Sequence, residues 1–266
     1  MSGRQMWSAG VRGLGPALWF AGGIAAWVLV WWGLVRIFTI SPDFLPAPAD
    51  VLARVLELVE RSVGEGPLHV HIQASLVRFV SGFGPAILVA VPLGMLMASI
   101  RAIDWLVTPV FELVRYVPPI AWAPFALLWF GTGGGAEAFV IFISTLPPIL
   151  INAYRAVKLV DPDLVRAART LGAGAHTLLL EVALPASVPM LVAGLRIGVA
   201  TGWMALIAAE IVAGAGSRAG LGYLILVGQQ TLQASITIGA MLLIGLLGWA
   251  LDAILRQIET YAMRWR

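Results

Sequence analysis

Long stretches of this 266-residue chain carry no charged side chain. Residues 13–35 contain none, 22 uncharged residues separate Arg78 from Arg101, and 33 separate Arg218 from Asp252. At 1.5 Å per residue, a helix of about 20 residues crosses the ~30 Å hydrocarbon core of a bilayer. Backbone N–H and C=O groups inside that core must form their hydrogen bonds within the segment, as they do in a helix. The uncharged runs therefore predict an all-α, polytopic membrane protein.

Six membrane-spanning helices are predicted. The chain is 60% hydrophobic and only 12% charged, whereas soluble domains are about 25% charged. The first run follows Arg4 and Arg12, is too long for a signal-peptide core and lacks a small-residue cleavage site, so we interpret it as a retained span. Prolines interrupt the third span. The predicted spans are 16–38, 72–100, 105–130, 138–154, 189–213 and 236–255.

Basic residues predict the orientation, because cytoplasmic loops are enriched in Lys and Arg. Both termini are placed in the cytoplasm, with ten basic residues inside, four outside and three within spans. The inner group is Arg4, Arg12, Arg101, Arg155, Lys158, Arg166, Arg169, Arg256, Arg264 and Arg266. The outer group is Arg36, Arg54, Arg61 and Arg218, and Arg78, Arg115 and Arg196 lie within spans.

Three regions follow from these spans. Residues 1–40 form a cytoplasmic tail and the first span, 41–71 an extracytoplasmic amphipathic segment, and 72–266 a five-helix core with a cytoplasmic loop at 155–188. In the middle segment, Asp50 is predicted to cap a helix that ends near Val63. This helix lies on the membrane surface or packs across the spans. Its predicted apolar face comprises Val51, Leu52, Val55, Leu56 and Val59.

Loop 155–188 concentrates charge in an otherwise apolar chain and must therefore lie in water. Within it, Asp161 suits a helix N-cap, Pro162 the first helical position and Asp163 the positive end of the helix dipole. Gly172 can end the helix in the left-handed conformation. Ala167 and Ala168 form a small face that another backbone can approach closely. The pattern predicts a short capped helix from Pro162 to about Leu171.

Other function classes find little support in the sequence. A chain without cysteine has no thiolate metal site or cysteine nucleophile, and a dispersed net charge of +3 does not indicate nucleic-acid binding. An intramembrane enzyme would depend on His69, His71 or His176, none of which has an obvious partner in the sequence. A stand-alone secondary transporter or channel would need a coupling carboxylate, for which Glu210 is the candidate. We therefore predict neither a catalytic residue nor a metal site.

Several motifs resemble those of one transporter family. Ala167-Ala168, Gly172 and Val182-Ala-Leu184-Pro185 resemble the EAA loop of ABC-importer permeases, with Arg166 where the broad pattern has Glu. Further motifs resemble the taurine, alkanesulfonate, nitrate and bicarbonate permeases. These are Ser75-Leu-Val-Arg78, Arg115-Tyr-Val-Pro-Pro-Ile-Ala-Trp-Ala-Pro124, Trp129-Phe-Gly131, Gly194-Leu-Arg-Ile-Gly198, Gly202-Trp203, Ala209-Glu210 and Gly220-Leu-Gly222.

The resemblance implies a type I importer in a bacterial inner membrane. Two copies of the chain would form the pathway, and a solute-binding protein would deliver a small, anionic solute from outside. Two cytoplasmic ATPases would bind ATP and Mg²⁺, since this sequence has no phosphate-binding loop and is expected to bind no cofactor itself. The ATPase-docking residues implied by the resemblance are Asp161, Asp163, Arg166, Ala167, Ala168, Leu171, Gly172, Ala173, Leu184 and Pro185.

Ionisable, helix-breaking and aromatic residues within spans are the candidates for the translocation pathway or gate. They are Arg115, Tyr116, Pro118, Pro119, Trp122, Trp203 and Glu210. Structural alternatives stay open: Arg115 can pair with Glu112, Glu210 with Arg218, and the tryptophans can serve packing alone. The glycines at 194, 198 and 202 form a face for helix packing or dimerisation. The glycine-rich loop 216–222 is a candidate outer gate or binding-protein contact.

Overall fold

Helices account for all of the regular structure in the part of the chain described, residues 16–213 and 219–262 of a computed structural model. Five helices in this part are long and apolar enough to cross a membrane, and the number is six if a bent helix pair counts as one span. The sequence prediction of six spans agrees with the second number. The helices are α1 (Pro16–Ile37), α2 (Pro48–Glu60), α3 (Leu68–Ser99), α4 (Arg101–Val114), α5 (Ala123–Phe130), α6 (Gly134–Lys158), α7 (Pro162–Thr170), α8 (Leu184–Ala213), α9 (Leu221–Gln230) and α10 (Ala234–Ala262).

Helix α6 lies at the centre of the bundle, between α3 and α8. Small residues allow the close approach on both sides. On α3, a Cβ atom at Gly82 would overlap the carbonyl oxygen of Ala138, and one at Gly94 would lie 2.7 Å from that of Leu150. The order of these contacts makes α3 parallel to α6.

The glycine face predicted on α8 packs within the chain. Gly194 lies against Asn152 and Gly198 against Ile149, while Gly202 lies against Thr145. Residue numbers rise along α8 while those of its contacts on α6 fall, so the two helices are antiparallel. Of the two alternatives for this face, the structure assigns it to intramolecular helix packing.

The third predicted span is sharply bent. Its two parts, Arg101–Val114 and Pro119–Phe130, meet at an angle of 91°. Pro118 and Pro119 cannot donate backbone hydrogen bonds, and a 3₁₀ turn at Pro119–Trp122 separates α4 from α5. Pro124 lies in the first turn of α5, where a proline is tolerated, and so does not break that helix.

Helix α2 begins earlier than predicted, at Pro48, and ends at Glu60. Asp50 therefore lies in its first turn, where its carboxylate accepts a hydrogen bond from the backbone N–H of Ala47 at 3.3 Å. The buried face also differs from the predicted one. Val51 and Leu58 are buried, and α2 packs across α10, whereas the predicted face also included the exposed Leu52, Leu56 and Val59.

Helical structure extends further into loop 155–188 than the sequence predicted. Helix α6 continues to Lys158, and a helical run begins at Ala175, well before the predicted start of the fifth span at residue 189. A π-helical segment, Leu178–Ala183, precedes Pro185. The wider turn accommodates the missing N–H donor of this proline, so Leu184 and Pro185 lie in the first turn of α8 rather than in a loop.

We expect Gly82→Ala to destabilise the protein, because the added methyl group meets a backbone oxygen on α6 that cannot move aside. Gly84→Ala on the same helix is the matched control, since a Cβ there has no atom within 4 Å. Both substitutions raise helix propensity by about 1 kcal/mol. Thermal unfolding in detergent should show a lower midpoint for the first variant only; equal midpoints would contradict the α3–α6 contact.

Candidate functional site

Helix α7 has the capped structure that the sequence predicted. The side chain of Asp161 accepts a hydrogen bond from the backbone N–H of Asp163 at 2.8 Å. At the other end, Gly172 has a φ of +86°, and the N–H of Ala173 donates to the carbonyl of Ala168 at 3.1 Å. This six-to-one bond with a left-handed glycine closes the helix. The local sequence thus forms a defined helix in a polar loop.

One side of α7 is open to contact. Leu171 is 88% exposed, Leu164 47% and the preceding Leu159 71%. A Cβ atom added at Gly172 would have no neighbouring atom within 4 Å. Ala167 is also exposed, while Ala168 and Ala173 are partly covered. Exposed leucines in an aqueous loop mark a surface suited to a protein partner.

Arg166, the departure from the family pattern, forms an ion pair with Asp163 one turn earlier. Both side chains are more than 70% exposed, so the pair contributes at most about 1 kcal/mol. It does not tie α7 to the rest of the chain. The arginine is therefore compatible with the helix and remains available to a partner.

A groove of about 480 Å³ lies between α4 and α6. It lies near the Lys158 end of α6, where Tyr154 donates a hydrogen bond to Asp104 at 3.0 Å. Further along α4, Arg115 pairs with Glu112 at 2.6 Å. Polar or charged side chains on its wall are Asp104, Thr108, Glu112, Arg115, Tyr154 and Arg155.

Of the two alternatives for Arg115, the structure shows the pair with Glu112, and the pathway role stays a prediction. Arg115 also lines the groove. Its guanidinium contacts Tyr116, donating to the phenol oxygen at 3.1 Å and lying 4.8 Å from the ring centre. Tyr116 itself is 73% exposed. These two side chains lie beside the break at Pro118 and Pro119.

The two tryptophans among the predicted pathway residues are less accessible than Tyr116. Trp203 is 5% exposed, packs edge-on against Phe79 and donates its indole N–H to the carbonyl of Ile244 at 3.0 Å. That placement fits the packing alternative. Trp122 is partly buried against Phe139, and its indole nitrogen has no hydrogen-bond partner in the described residues. Their pathway roles stay predictions.

Glu210 belongs to a buried ionic cluster at the Gly134 end of α6. It accepts hydrogen bonds from Arg78 at 2.8 Å, Ser75 at 2.7 Å and the backbone N–H of Gly222 at 2.8 Å. Arg78 also donates to the carbonyl of Ala219 at 2.7 Å. The alternative partner Arg218, like residues 214–218 of the predicted outer loop, lies outside the described residues.

His71 extends this cluster. One ring nitrogen, Nδ1, accepts from the N–H of Gly220 at 3.0 Å, and Nε2 lies 2.8 Å from the carbonyl of Val63. The ring is 1% exposed and cross-links the turn before α3 to the turn before α9. Both nitrogens are engaged with backbone groups, so His71 is a structural residue here. His69, beside it, is exposed.

The sequence analysis proposed no site role for two members of the cluster, Arg78 and Glu137. The pairing of Arg78 with Glu210 joins residues 132 positions apart, and Glu137 lies 4.0 Å from Arg78. The sequence did carry a signal for this pairing. Arg78 lies within a predicted span, and an arginine there needs a partner such as a carboxylate. At the opposite end of the bundle, Arg196 meets that requirement with Asp252 at 2.9 Å and Glu259 at 3.4 Å on α10.

Comparison with known proteins identifies relatives over the whole chain. It is 40% identical over 243 residues to a putative ABC transporter permease protein of Methanocaldococcus jannaschii, covering 91% of this chain and 90% of the relative. The taurine transport system permease protein of Escherichia coli is 31% identical over 92% of this chain and 88% of its own length. The bicarbonate transport system permease protein of Synechococcus elongatus is 32% identical over 99% and 94%.

The fold has a counterpart among solved structures. The MetNI methionine ABC transporter, in an inward-facing conformation, contains a chain that superposes with a TM-score of 0.62 at 22% identity, covering 73% of this chain and 95% of that one. This likeness shows the type I ABC importer permease fold. The profile of the binding-protein-dependent transport system inner membrane components matches residues 90–264. The chain therefore belongs to that family, as an inner-membrane permease subunit of an ABC transporter.

Proposed function

We propose that two copies of this chain form the membrane pathway of an ATP-driven importer. Two cytoplasmic ATPases bind ATP and Mg²⁺ and dock on the two α7 helices, and a solute-binding protein delivers solute on the other side. The observation that carries the proposal is α7 itself. It is a capped helix with exposed leucines that contacts little of its own chain except the π-helical segment leading into α8.

The structure supports a mechanical path from α7 to the bundle. Helix α7 packs on the segment Leu178–Ala183, which continues without interruption into α8. Helix α8 is in turn packed on α6 through its glycine face. A movement of α7 imposed by an ATPase is thus transmitted to two spans, as alternating access requires of a two-state element.

The orientation in this proposal comes from charge. Helix α7 follows the Lys158 end of α6, and the ionic cluster lies at the Gly134 end. The excess of basic residues on the α7 side supports a cytoplasmic position for that side and for both termini. The cluster and the turn before α9 then lie near the outer surface, where the binding protein docks.

The proposed solute is a small anion of the taurine, nitrate or bicarbonate type. Relatives of this chain are named for taurine and bicarbonate transport. The groove between α4 and α6 supports the proposal, since Arg155 lines it without an ion pair in the described residues, beside Arg115, which is paired with Glu112. Guanidinium groups suit carboxylate-like and sulfonate-like anions. Solute selection itself is assigned to the binding protein.

We expect Leu171→Glu to release the ATPase while the permease still folds. The side chain is 88% exposed, so the substitution removes contact area only from a partner. A docking hot spot contributes about 2 kcal/mol or more, which corresponds to roughly thirtyfold weaker binding. Co-purification of tagged permease with its ATPase, followed by titration in nanodiscs, measures the effect.

Thr170→Glu is the control, because it adds the same charge at the adjacent exposed position without removing a leucine. It should retain the ATPase. If Leu171→Glu binds the ATPase as tightly as the unmodified chain, α7 is not the docking element. Gly172→Trp also introduces bulk here, but at a φ of +86° it strains the backbone and tests docking less cleanly.

Replacing Arg115 should impair anion uptake if the groove belongs to the pathway. In Arg115→Gln we expect the KM for the transported anion to rise roughly tenfold, which corresponds to about 1.4 kcal/mol, because one guanidinium contact is lost. Uptake of labelled taurine, nitrate and bicarbonate into proteoliposomes containing the whole complex measures it. Arg101→Gln, at the start of the same helix and outside the groove, is the control; equal uptake by both variants would remove Arg115 from the pathway.

A further inference from the structure

Glu137 is a carboxylate buried where nothing in the transport proposal requires one. It lies in the first turn of α6 and is 1% exposed. The small space beside it is bounded by apolar side chains of α5, α6 and α8. These are Ala123, Leu127, Ala136, Val140, Ala209, Val212 and Ala213.

Neither oxygen of this carboxyl group has a hydrogen-bond partner in the described residues. The nearest cation is Arg78, whose Nε lies 4.0 Å from Oε1 of Glu137, beyond hydrogen-bond distance. The same guanidinium makes its close contacts elsewhere, with Glu210 at 2.8 Å and with the carbonyl of Ala219 at 2.7 Å. One arginine thus faces two buried carboxyl groups and is hydrogen-bonded to only one of them.

The charged groups that face Glu137 can be named element by element. Helix α3 contributes Arg78 and α8 contributes Glu210, whereas the residues of α5 lining its space are apolar. Arg218 lies outside the described residues. An ionised carboxylate buried without hydrogen bonds is unfavourable by several kcal/mol, and such groups bind a proton instead. Ionisation of Glu137 would also place a second negative charge close to Glu210, and this repulsion further favours the protonated form of Glu137.

We propose that Glu137 is a proton-binding site, protonated while Arg78 is paired with Glu210. Loss of the proton would create a second carboxylate in competition for the same guanidinium. Arg78, Glu137 and Glu210 lie on α3, α6 and α8, respectively. The protonation state of Glu137 therefore biases the contact among these three helices where they meet near the Gly134 end of α6. The inference rests on the fold and this cluster and is independent of which solute is carried.

Infrared spectroscopy of the purified permease in lipid vesicles tests for the proton directly. We expect the carbonyl stretch of a protonated carboxyl group at neutral pH, and we expect Glu137→Gln to lose it. Glu112→Gln, which alters a half-exposed carboxylate in an ion pair, should retain the band. A spectrum in which Glu137→Gln keeps the full band would overturn the proposal.

A second measurement needs no variant. Dicyclohexylcarbodiimide reacts with protonated carboxyl groups in apolar surroundings, so the unmodified complex should yield an adduct at Glu137, located by mass spectrometry, and less of it at alkaline pH. Absence of an adduct at Glu137 under conditions that label a known buried carboxyl in a control protein would count against a bound proton.

The consequence for transport follows from ATP-driven uptake at different pH values outside the vesicle. The unmodified complex should change its rate as the outer pH rises from neutral to alkaline, and Glu137→Gln, fixed in the neutral form, should lose that dependence. An unchanged pH profile in this variant would refute the coupling to the helix contact. Loss of ATPase docking would leave the infrared and labelling results intact, so failure of the transport proposal is distinguishable.

Discussion

Both ends of this permease depend on the close contact of α6 with α3 and α8. Lipid is as apolar as leucine, so burial of apolar area does not by itself hold spans together, and packing of small residues takes its place. Glycines on α3 and α8 bring the backbones of these helices directly against α6. Helix α6 carries Glu137 in its first turn and leads from its last turn into α7. The position of one helix therefore fixes the ionic cluster and the start of α7 together.

Charged side chains are buried near one end of α6 and exposed beyond the other. At the Gly134 end, Arg78 and Glu210 are buried and hydrogen-bonded from several directions, as buried ions must be to offset their desolvation. At the Lys158 end, the ion pair of Arg166 is exposed and contributes little, and leucines face water. The first arrangement is complete within the chain. In the proposed importer an ATPase covers the second surface, which is why the mechanical input is assigned to α7.

The bend between α4 and α5 has a local cause and a wider effect. Pro118 and Pro119 end the helical hydrogen bonding, and the chain turns by 91° instead of continuing across the bundle. Such irregular backbone is tolerated at membrane depth where it faces protein or a cavity. Arg115 and Tyr116 lie directly before the break, and the groove lined by Arg115 extends along α4 and α6. The prolines thereby separate a straight segment beside the groove from a short segment packed on the other end of α6.

The sequence by itself determined the six spans, the capped helix after Asp161 and the family. These depend on local patterns: uncharged length, an N-cap with proline after it, a glycine at the C-terminus and short motifs. Only the tertiary structure decided that Arg78 pairs with Glu210, that the glycine face of α8 packs on α6 and that α2 buries Leu58 rather than Leu52. It also decided that the carboxyl group of Glu137 has no hydrogen-bond partner among the described residues. Each of these outcomes depends on which helices become neighbours. Spacing along one helix cannot specify that, because contact between distant segments is set by the packing of complete surfaces.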